Sequence, residues 1–548
     1  MIRLRTALRL GGACLAASAL AGCIVGPAYR TPDRVSTAPA AFAETTAAVS
    51  ASPPPGRWWR LYNDPNLDRL VDQALVRNTD LRVAEANLAE ARTVLEEVRA
   101  NRLPATALSA GASYGRSSNG GGLSVPSFGS VSGGTTGGGS GSGGSGTGSG
   151  GTTSSGGGTG SGGTTSSGGG TTTGSSGFSS TGRADWTYSA AFDAAYEVDL
   201  FGRIRRAIQA ARADTEAYAE ARDLVRVDTA AETARAYAQA CTYGLQSDVQ
   251  RRSLDIVSGQ YDATVKQREL GSVSDFEVAN ARTLVEQTRA PIAGYEASRR
   301  ASLYALAVLT GEPPEHVDAA AAACRKPPKL VDPIPVGDGA GLIRRRPDVR
   351  QAERQLAAAS ARIGVATADL FPTVSLGGVI STAGHNGGDL VSRSGVSYGL
   401  GPLISWNFPN LVAARARVRE AKAETQAAFA NFDGVVLTAL QNTETTLATY
   451  GGELDRHVAL QAARDNAAEA YRLSQVRLQN GAISQLDLFV IEETLVSADA
   501  ALAASDAALI NDQVSVFKAL GGGWNDPAPI PLPPLPSKAN ARKAAARG

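Results

Sequence analysis

Apolar residues along this chain follow two regimes, one with helical spacing and one with strand spacing. Leu81, Ala84, Leu88, Ala91, Leu95 and Val98 recur at intervals of three and four, the seam of a packed helix. At one constant offset the same seam returns as Val349, Ala352, Leu356, Ala359, Ile363 and Ala366. Asp80 is then matched by Asp348, Glu85 by Glu353 and Pro104 by Pro372. A proline cannot continue a helix, so both seams are predicted to end there. Beyond each proline the period drops to two. Trp186, Tyr188, Ala190, Phe192, Ala194, Tyr196 and Val198 alternate with small or charged residues. Val396, Tyr398, Leu400, Pro402, Ile404, Trp406 and Phe408 do the same. This period predicts strands over 186–198 and 396–408, with shorter partners over 105–114 and 373–381. Strands of about ten residues with aromatics toward their ends suit a membrane barrel, lipid outside and water inside.

Two long alanine-rich stretches follow, from Arg203 to Arg268 and from Leu411 to Gln479, neither with a proline. Each predicts a helix of roughly 95–100 Å. Gly271 and Gly481 interrupt them, and helices return to about Leu309 and Leu520. Across these turns Val273 matches Ile483, Ser274 matches Ser484, Phe276 matches Leu486 and Glu277 matches Asp487. Both halves of the chain, 57–311 and 347–524, therefore read helix, strand, strand, long helix, turn, helix, an internal two-fold repeat. A proline-containing linker, 312–346, joins them.

Residues 117–182 are nearly all Gly, Ser and Thr. They bury too little apolar surface to offset their ordering entropy, so they are predicted to be a loop inserted in the first β-hairpin. Strings such as Gly141-Ser142-Gly143 inside it lack the strand–turn–helix context of a nucleophile elbow.

The N-terminus reads as an address. Arg3, Arg5 and Arg9 precede an apolar run from Leu10 to Leu20, then Leu20-Ala21-Gly22-Cys23. This is a secretory signal, 1–22, too short for a comfortable membrane span. The tetrapeptide resembles a bacterial lipobox. That likeness implies that Cys23 becomes the first mature residue and carries an N-acyl diglyceride, an anchor of several acyl chains. Ile24 in place of the Asp associated with inner-membrane retention favours the outer membrane. Residues 23–56, rich in Pro, Ala, Ser and Thr, read as an extended segment that need not form a core. No later stretch is apolar enough for a transmembrane helix. The tail, 525–548, proline-rich and then basic, reads as disordered.

A net charge of +1 offers no electrostatic basis for binding nucleic acid. His316, His385 and His457 are far apart, and neither a P-loop nor a dinucleotide fingerprint nor a metal-ligand cluster is present. The sequence thus points away from an enzyme and implies no cofactor beyond the lipid. Cys241 and Cys324 read either as buried thiols or as a disulfide in an oxidising compartment; the frequent burial of free cysteine favours the first.

Several motifs occur in a fixed order: the lipobox with Pro27, Tyr29 and Pro32; Trp58-Trp59-Arg60-Leu61-Tyr62-Asn63-Asp64-Pro65-Asn66-Leu67; Arg345-Arg346-Pro347-Asp348-Val349-Arg350 through Glu353 to Ile363-Gly364 and Phe371-Pro372; and Leu520-Gly521-Gly522-Gly523-Trp524. Together they resemble the outer-membrane efflux protein family, the TolC-like channels, in the NodT-type lipoprotein branch typified by OprM. The likeness covers nearly all of 20–525. It implies an α+β membrane protein: a trimeric 12-stranded outer-membrane β-barrel, four strands per protomer, continued by a long periplasmic α-helical coiled-coil barrel. It also implies a homotrimer in outer-membrane lipid, working with a periplasmic adaptor (membrane fusion) protein and an inner-membrane RND-type pump to export drugs and other toxic small molecules. By position, Asp487 matches a family aperture aspartate, Glu277 is its repeat counterpart and Asp275 lies nearby, so these are the candidate periplasmic gate. A carboxylate ring would attract cations. The family's second acidic position is Val490 here. The plainer reading of Asp487 and Glu277 is helix N-terminal charge. Gly271, Ser272 and Val273, with Gly481, Ala482 and Ile483, are the candidate adaptor-docking tip. Two rival readings are a same-fold conduit for type I protein secretion and a non-channel structural periplasmic coiled-coil lipoprotein.

Overall fold

The computed structural model describes residues 24–32, 41–44, 48–115, 185–330, 333–386, 388–392 and 395–522. The signal 1–22, Cys23, the 117–182 tract and the 525–548 tail lie outside them. In chain order the elements are strand β1 (Val49–Ser50), a short 3-10 turn (Trp58–Tyr62), helices α1 (Pro65–Arg77) and α2 (Thr79–Ala100), and strands β2 (Ala105–Gly115) and β3 (Asp185–Val198). There follow α3 (Arg203–Glu269), α4 (Asp275–Leu309), α5 (Ala319–Ala323), β4 (Ile334–Pro335), α6 (Gly339–Arg345) and α7 (Pro347–Ala368). Strands β5 (Thr373–Gly384) and β6 (Val396–Ser405) and helices α8 (Val412–Gln479) and α9 (Gln485–Ala519) complete the chain. They form two compact units, one helical and one built on Thr106–Ala194 and Gly377–Gly401.

Local devices fix the helix ends. Asp64 accepts from the amides of Asn66 and Leu67 with Pro65 at the first helical position, and Asn78 accepts from those of Asp80 and Leu81. At the start of α3 the Asp199 carboxylate reaches over Gly202 to the amides of Ile204 and Arg205, at 3.1 and 3.0 Å. Helices α3 and α8 have 67 and 68 residues, about 100 Å each. Both stop at a glycine in the left-handed region, Gly271 (φ 76°) and Gly481 (φ 70°). The next amide donates five residues back in each, Ser272 to Gln267 and Ala482 to Arg477, closing the last carbonyls. The proline rule fails once. Pro291 lies inside α4 without ending it, because buried Leu284, Val285, Leu303 and Leu306 dock the helix on either side.

In the helical unit α3 pairs with α4 and α8 with α9, while α7 lies between α3 and α8. The main core collects where the 3-10 turn, α1, α3, α8 and α9 meet. Trp58 is fully buried there and stacks on Phe517 with ring centroids 4.7 Å apart. Leu67, Leu70, Tyr237, Leu342 and Tyr450 surround the pair. The predicted seams are the buried faces of α2 and α7: Leu81, Leu88, Ala91 and Leu95 in one, Val349, Ala352, Leu356, Ala359 and Ile363 in the other.

Three sequence expectations need correction. Cys241 and Cys324 form a disulfide, their Cα atoms 4.8 Å apart, because the linker folds back and lays α5 against α3. The segment 23–56, read as needing no core, is stitched to the helices in its described parts. Phe42 is buried, the Ala43 and Glu44 amides donate to the Glu444 carboxylate at 2.9 and 3.1 Å, and β1 pairs in parallel with β4. Finally, the strand predicted over 396–408 stops at Ser405. Pro409 has no N–H for a ladder. Trp406 turns instead to the Leu370 carbonyl (3.2 Å) and stacks on Phe408.

Replacing Trp58 with alanine removes the stacked core pair and leaves a cavity that this close packing cannot collapse. The expected cost is about 3–5 kcal/mol, read as a lowered apparent Tm in detergent at fixed scan rate. An unchanged Tm would show that the junction does not depend on it.

Candidate functional site

At the tips, each returning helix begins with a serine and an acidic residue three positions on. Glu277 accepts the Ser274 amide at 2.9 Å and also takes its hydroxyl. Asp487 accepts the Ser484 amide at 2.9 Å and hydroxyl at 2.7 Å, while the Asp487 amide donates to the Ser484 hydroxyl at 3.2 Å. These are capping boxes, in which cap and third residue satisfy each other's amides. Asp275 is exposed and paired with Arg268 at 2.6 Å. The Ser274 hydroxyl holds the Glu277 carboxyl below its usual range, the Ser484 hydroxyl does so for Asp487, and the Arg268 guanidinium does so for Asp275. All three are anions at neutral pH. Since their folded values are depressed, what they contribute to the turns is present above the usual carboxylate range and lost as pH falls through the folded values.

The turn residues Gly271, Ser272, Gly481 and Ala482 are exposed, with Val273 and Ile483 half-buried. Leu270, Phe276 and Leu486 add exposed apolar surface, and Val490 is also exposed. The plain reading of Glu277 and Asp487 thus has a definite form in one chain, a cap. The same bonds hold both carboxylates back against their N-cap serines, with Asp487 exposed and Glu277 half-buried.

The four-stranded sheet has the order β2-β3-β5-β6. Tyr114 meets Trp186 and Ser109 bonds the Ala191 carbonyl, so β2 and β3 run antiparallel. Thr373 bonds the Ser405 carbonyl and Ser381 bonds Ser397, so β5 and β6 do too. The alternation read from sequence becomes a face: Leu108, Tyr114, Trp186 and Phe192 on the first hairpin, Leu376, Ile380, Tyr398, Leu400 and Ile404 on the second, all exposed. Tyr398 and Leu400 are more than four-fifths exposed, a state that water disfavours and lipid rewards. Among the described residues no helix is long and apolar enough to cross a membrane.

Cys23 lies outside the described residues, but its neighbours are placed. The Val25 amide donates to the Phe201 carbonyl at 3.2 Å, where β3 gives way to α3. Arg206 donates to the carbonyls of Val25 and Gly26. A Cβ on Gly26 would fall 2.5 Å from the Gly364 Cα, so only glycine permits this approach. Tyr29 donates to Glu353 at 2.9 Å.

Sequence reasoning missed a buried acid near the second tip. Glu492 of α9 is 1 % exposed, and burial pushes its carboxyl up to about 7. The available signal was its place in the apolar seam of α9, two turns beyond Gln485.

A sheet with a lipid-compatible face, carried on one chain with paired helices of about 100 Å ending in capped acidic turns, defines a channel protein of the outer membrane that extends into the periplasm. The chain belongs to the outer membrane efflux protein family, whose model matches residues 70–142, 157–312 and 341–522. The probable efflux pump outer membrane protein TtgC of Pseudomonas putida is 28% identical over 526 residues, covering 92% of this chain and 93% of its own. Nodulation protein T of Rhizobium leguminosarum bv. viciae is 32% identical over 335 residues, 60% of this chain and 68% of its own. Among solved structures, the outer-membrane channel OprN superposes with a TM-score of 0.76 at 31% identity, covering 92% of this chain and 100% of that one. The open state of the Neisseria gonorrhoeae MtrE outer membrane channel superposes with a TM-score of 0.72 at 26% identity, covering 92% and 99%. The protein is an outer-membrane efflux channel.

Ser484→Ala removes one capping box and spares the other. Deuterium uptake at 484–488 is expected to rise about fivefold, the equivalent of losing a typical N-cap, with 274–278 unchanged. Equal uptake in both proteins would show that the cap does not hold the tip.

Proposed function

We propose that three copies of this chain close into one conduit that exports small molecules, such as drugs, solvents and other toxic compounds, from an inner-membrane pump to the outside. The observation that carries this reading is the sheet. Among the described residues its outer strands β2 and β6 each pair on one edge only, and their exposed face is apolar. Lipid tolerates no open edge, so the sheet needs further copies to close. Pairing β6 of one copy with β2 of the next gives, with three copies, a twelve-stranded barrel. The nearly equal lengths of the helical hairpins, 67 with 35 residues and 68 with 35, support a wall of near-equivalent units made by an internal repeat.

Three-fold symmetry turns Asp487, Glu277 and Asp275 into rings of fixed anions at the periplasmic aperture, with Val490 supplying an apolar rather than a second acidic constriction. The turns 271–273 and 481–483, flanked by Leu270, Phe276 and Leu486, present a surface for a periplasmic adaptor that links the channel to an RND-type pump. The tethering of Val25 to the Phe201 carbonyl supports a lipid on Cys23, since it places a residue two positions after the cysteine just past the end of β3. Relatives named as toluene, antibiotic and solvent efflux proteins of Pseudomonas putida support small apolar molecules as cargo.

Electron microscopy of the detergent-purified protein tests the assembly. A hollow three-fold cylinder longer than about 100 Å is expected; a monomer or a solid rod would overturn the reading.

A further inference from the structure

We propose that Glu492 is a proton-responsive latch between the two helical hairpins of one chain, holding α9 against α3 when its carboxyl is neutral and loosening that contact when it is charged. Glu492 shares a face of α9 with Gln485, Leu488 and Phe489, all buried. One turn further on, Val496 joins the cluster of Val257 from α3 with Leu284 and Val285 from α4. The carboxyl therefore lies where the α8/α9 hairpin meets the α3/α4 hairpin. The Tyr471 hydroxyl of α8 donates to Oε1 at 3.4 Å. Among the described residues Oε2 has no partner, and neither has Nε2 of Gln485.

Among the described residues no cation offsets this acid. The titratable group among them that touches it is Tyr471 of α8, while half-buried Tyr261 of α3 packs against the neighbouring Val257 cluster. Arg464 is committed to Asp499, Arg472 to Glu469, Arg268 to Asp275 and Arg289 to Glu286. Arg477 acts on Asp487, and Asp262, Lys266, Arg282 and Glu493 are exposed. Burial alone drives the carboxyl up to about 7, against a weaker opposing pull from the Tyr471 hydroxyl. A neutral carboxyl fits such a site. A charged one without a counterion is costly there, and parting the helices to admit water relieves it. The folded value exceeds the unfolded one, so the contact is strongest at low pH and weakens as pH rises through about 7. The link from latch to channel opening rests on the conduit reading above; the change in packing does not.

The test is deuterium exchange of the full-length protein in detergent between pH 6 and 8.5, corrected for intrinsic rates, with conductance in planar bilayers over the same range. Protection of 488–497 and 254–262 is expected to fall up to about tenfold, while 235–245 stays constant. Glu492→Gln should flatten the profile, and Tyr471→Phe, which removes the donor that favours the charged form, should move its midpoint to higher pH. Wild-type protection that does not vary with pH, or a Glu492→Gln profile like that of the wild type, overturns the latch. Protection that shifts while conductance stays flat leaves the latch standing and removes its role in opening.

Discussion

Helix α3 is enclosed along much of its length, and the rest of the helical unit is arranged around that enclosure. It packs against α1, α2, α4, α7 and α9. So many neighbours can approach one helix only where its side chains are short, since axial distance follows the residues at the contact. Ala210, Ala211, Ala213 and Ala217 serve near its start, and Ala230, Ala231, Ala234 and Ala240 midway, all buried. Threonines between them find partners within the helix itself. Thr229, Thr233, Thr242 and Thr264 each donate to a carbonyl four residues back. Asp223 receives both Arg222 and Arg226, and Glu220 takes Arg350. A helix built this way brings little apolar area of its own, so its neighbours supply it through Trp58, Leu67, Leu70 and Phe517.

What could be read from the sequence was whatever nature encodes locally. Helix ends announce themselves through Pro104, Gly271, Gly481 and the serine–acid pairs at 274–277 and 484–487, and the strands through their period of two. What could not be read depends on distant partners. Nothing near Cys241 or Cys324 says that they meet. Trp58 and Trp59 stand out as a motif, yet both are core, fully enclosed by residues far along the chain. The docking of the N-terminal segment needs Arg206 and Gly364, which no local pattern connects to Val25 or Gly26. At the tips the charges of Glu277 and Asp487 were legible, and their serine bonds turn that charge into a defined cap.

The sheet and the helices solve opposite problems. The helices bury short side chains against each other. The strands leave Tyr398, Leu400 and Leu108 bare, and among the described residues β2 and β6 each pair on one edge only, so their apolar face depends on lipid. A chain with both demands has no comfortable state in water alone, and that suits a protein completed at the membrane.

The disulfide between Cys241 and Cys324 makes the first helical hairpin a covalent ring. Lower α3, the 270–274 turn and all of α4 lie inside it. Among the described residues the α8/α9 hairpin has no such closure. A protease that severs the exposed backbone at 271–272 leaves two pieces still joined through sulfur, whereas the same cut at 481–482 leaves pieces held by packing alone. The two tips, nearly alike in shape and capping, differ in what survives a single nick.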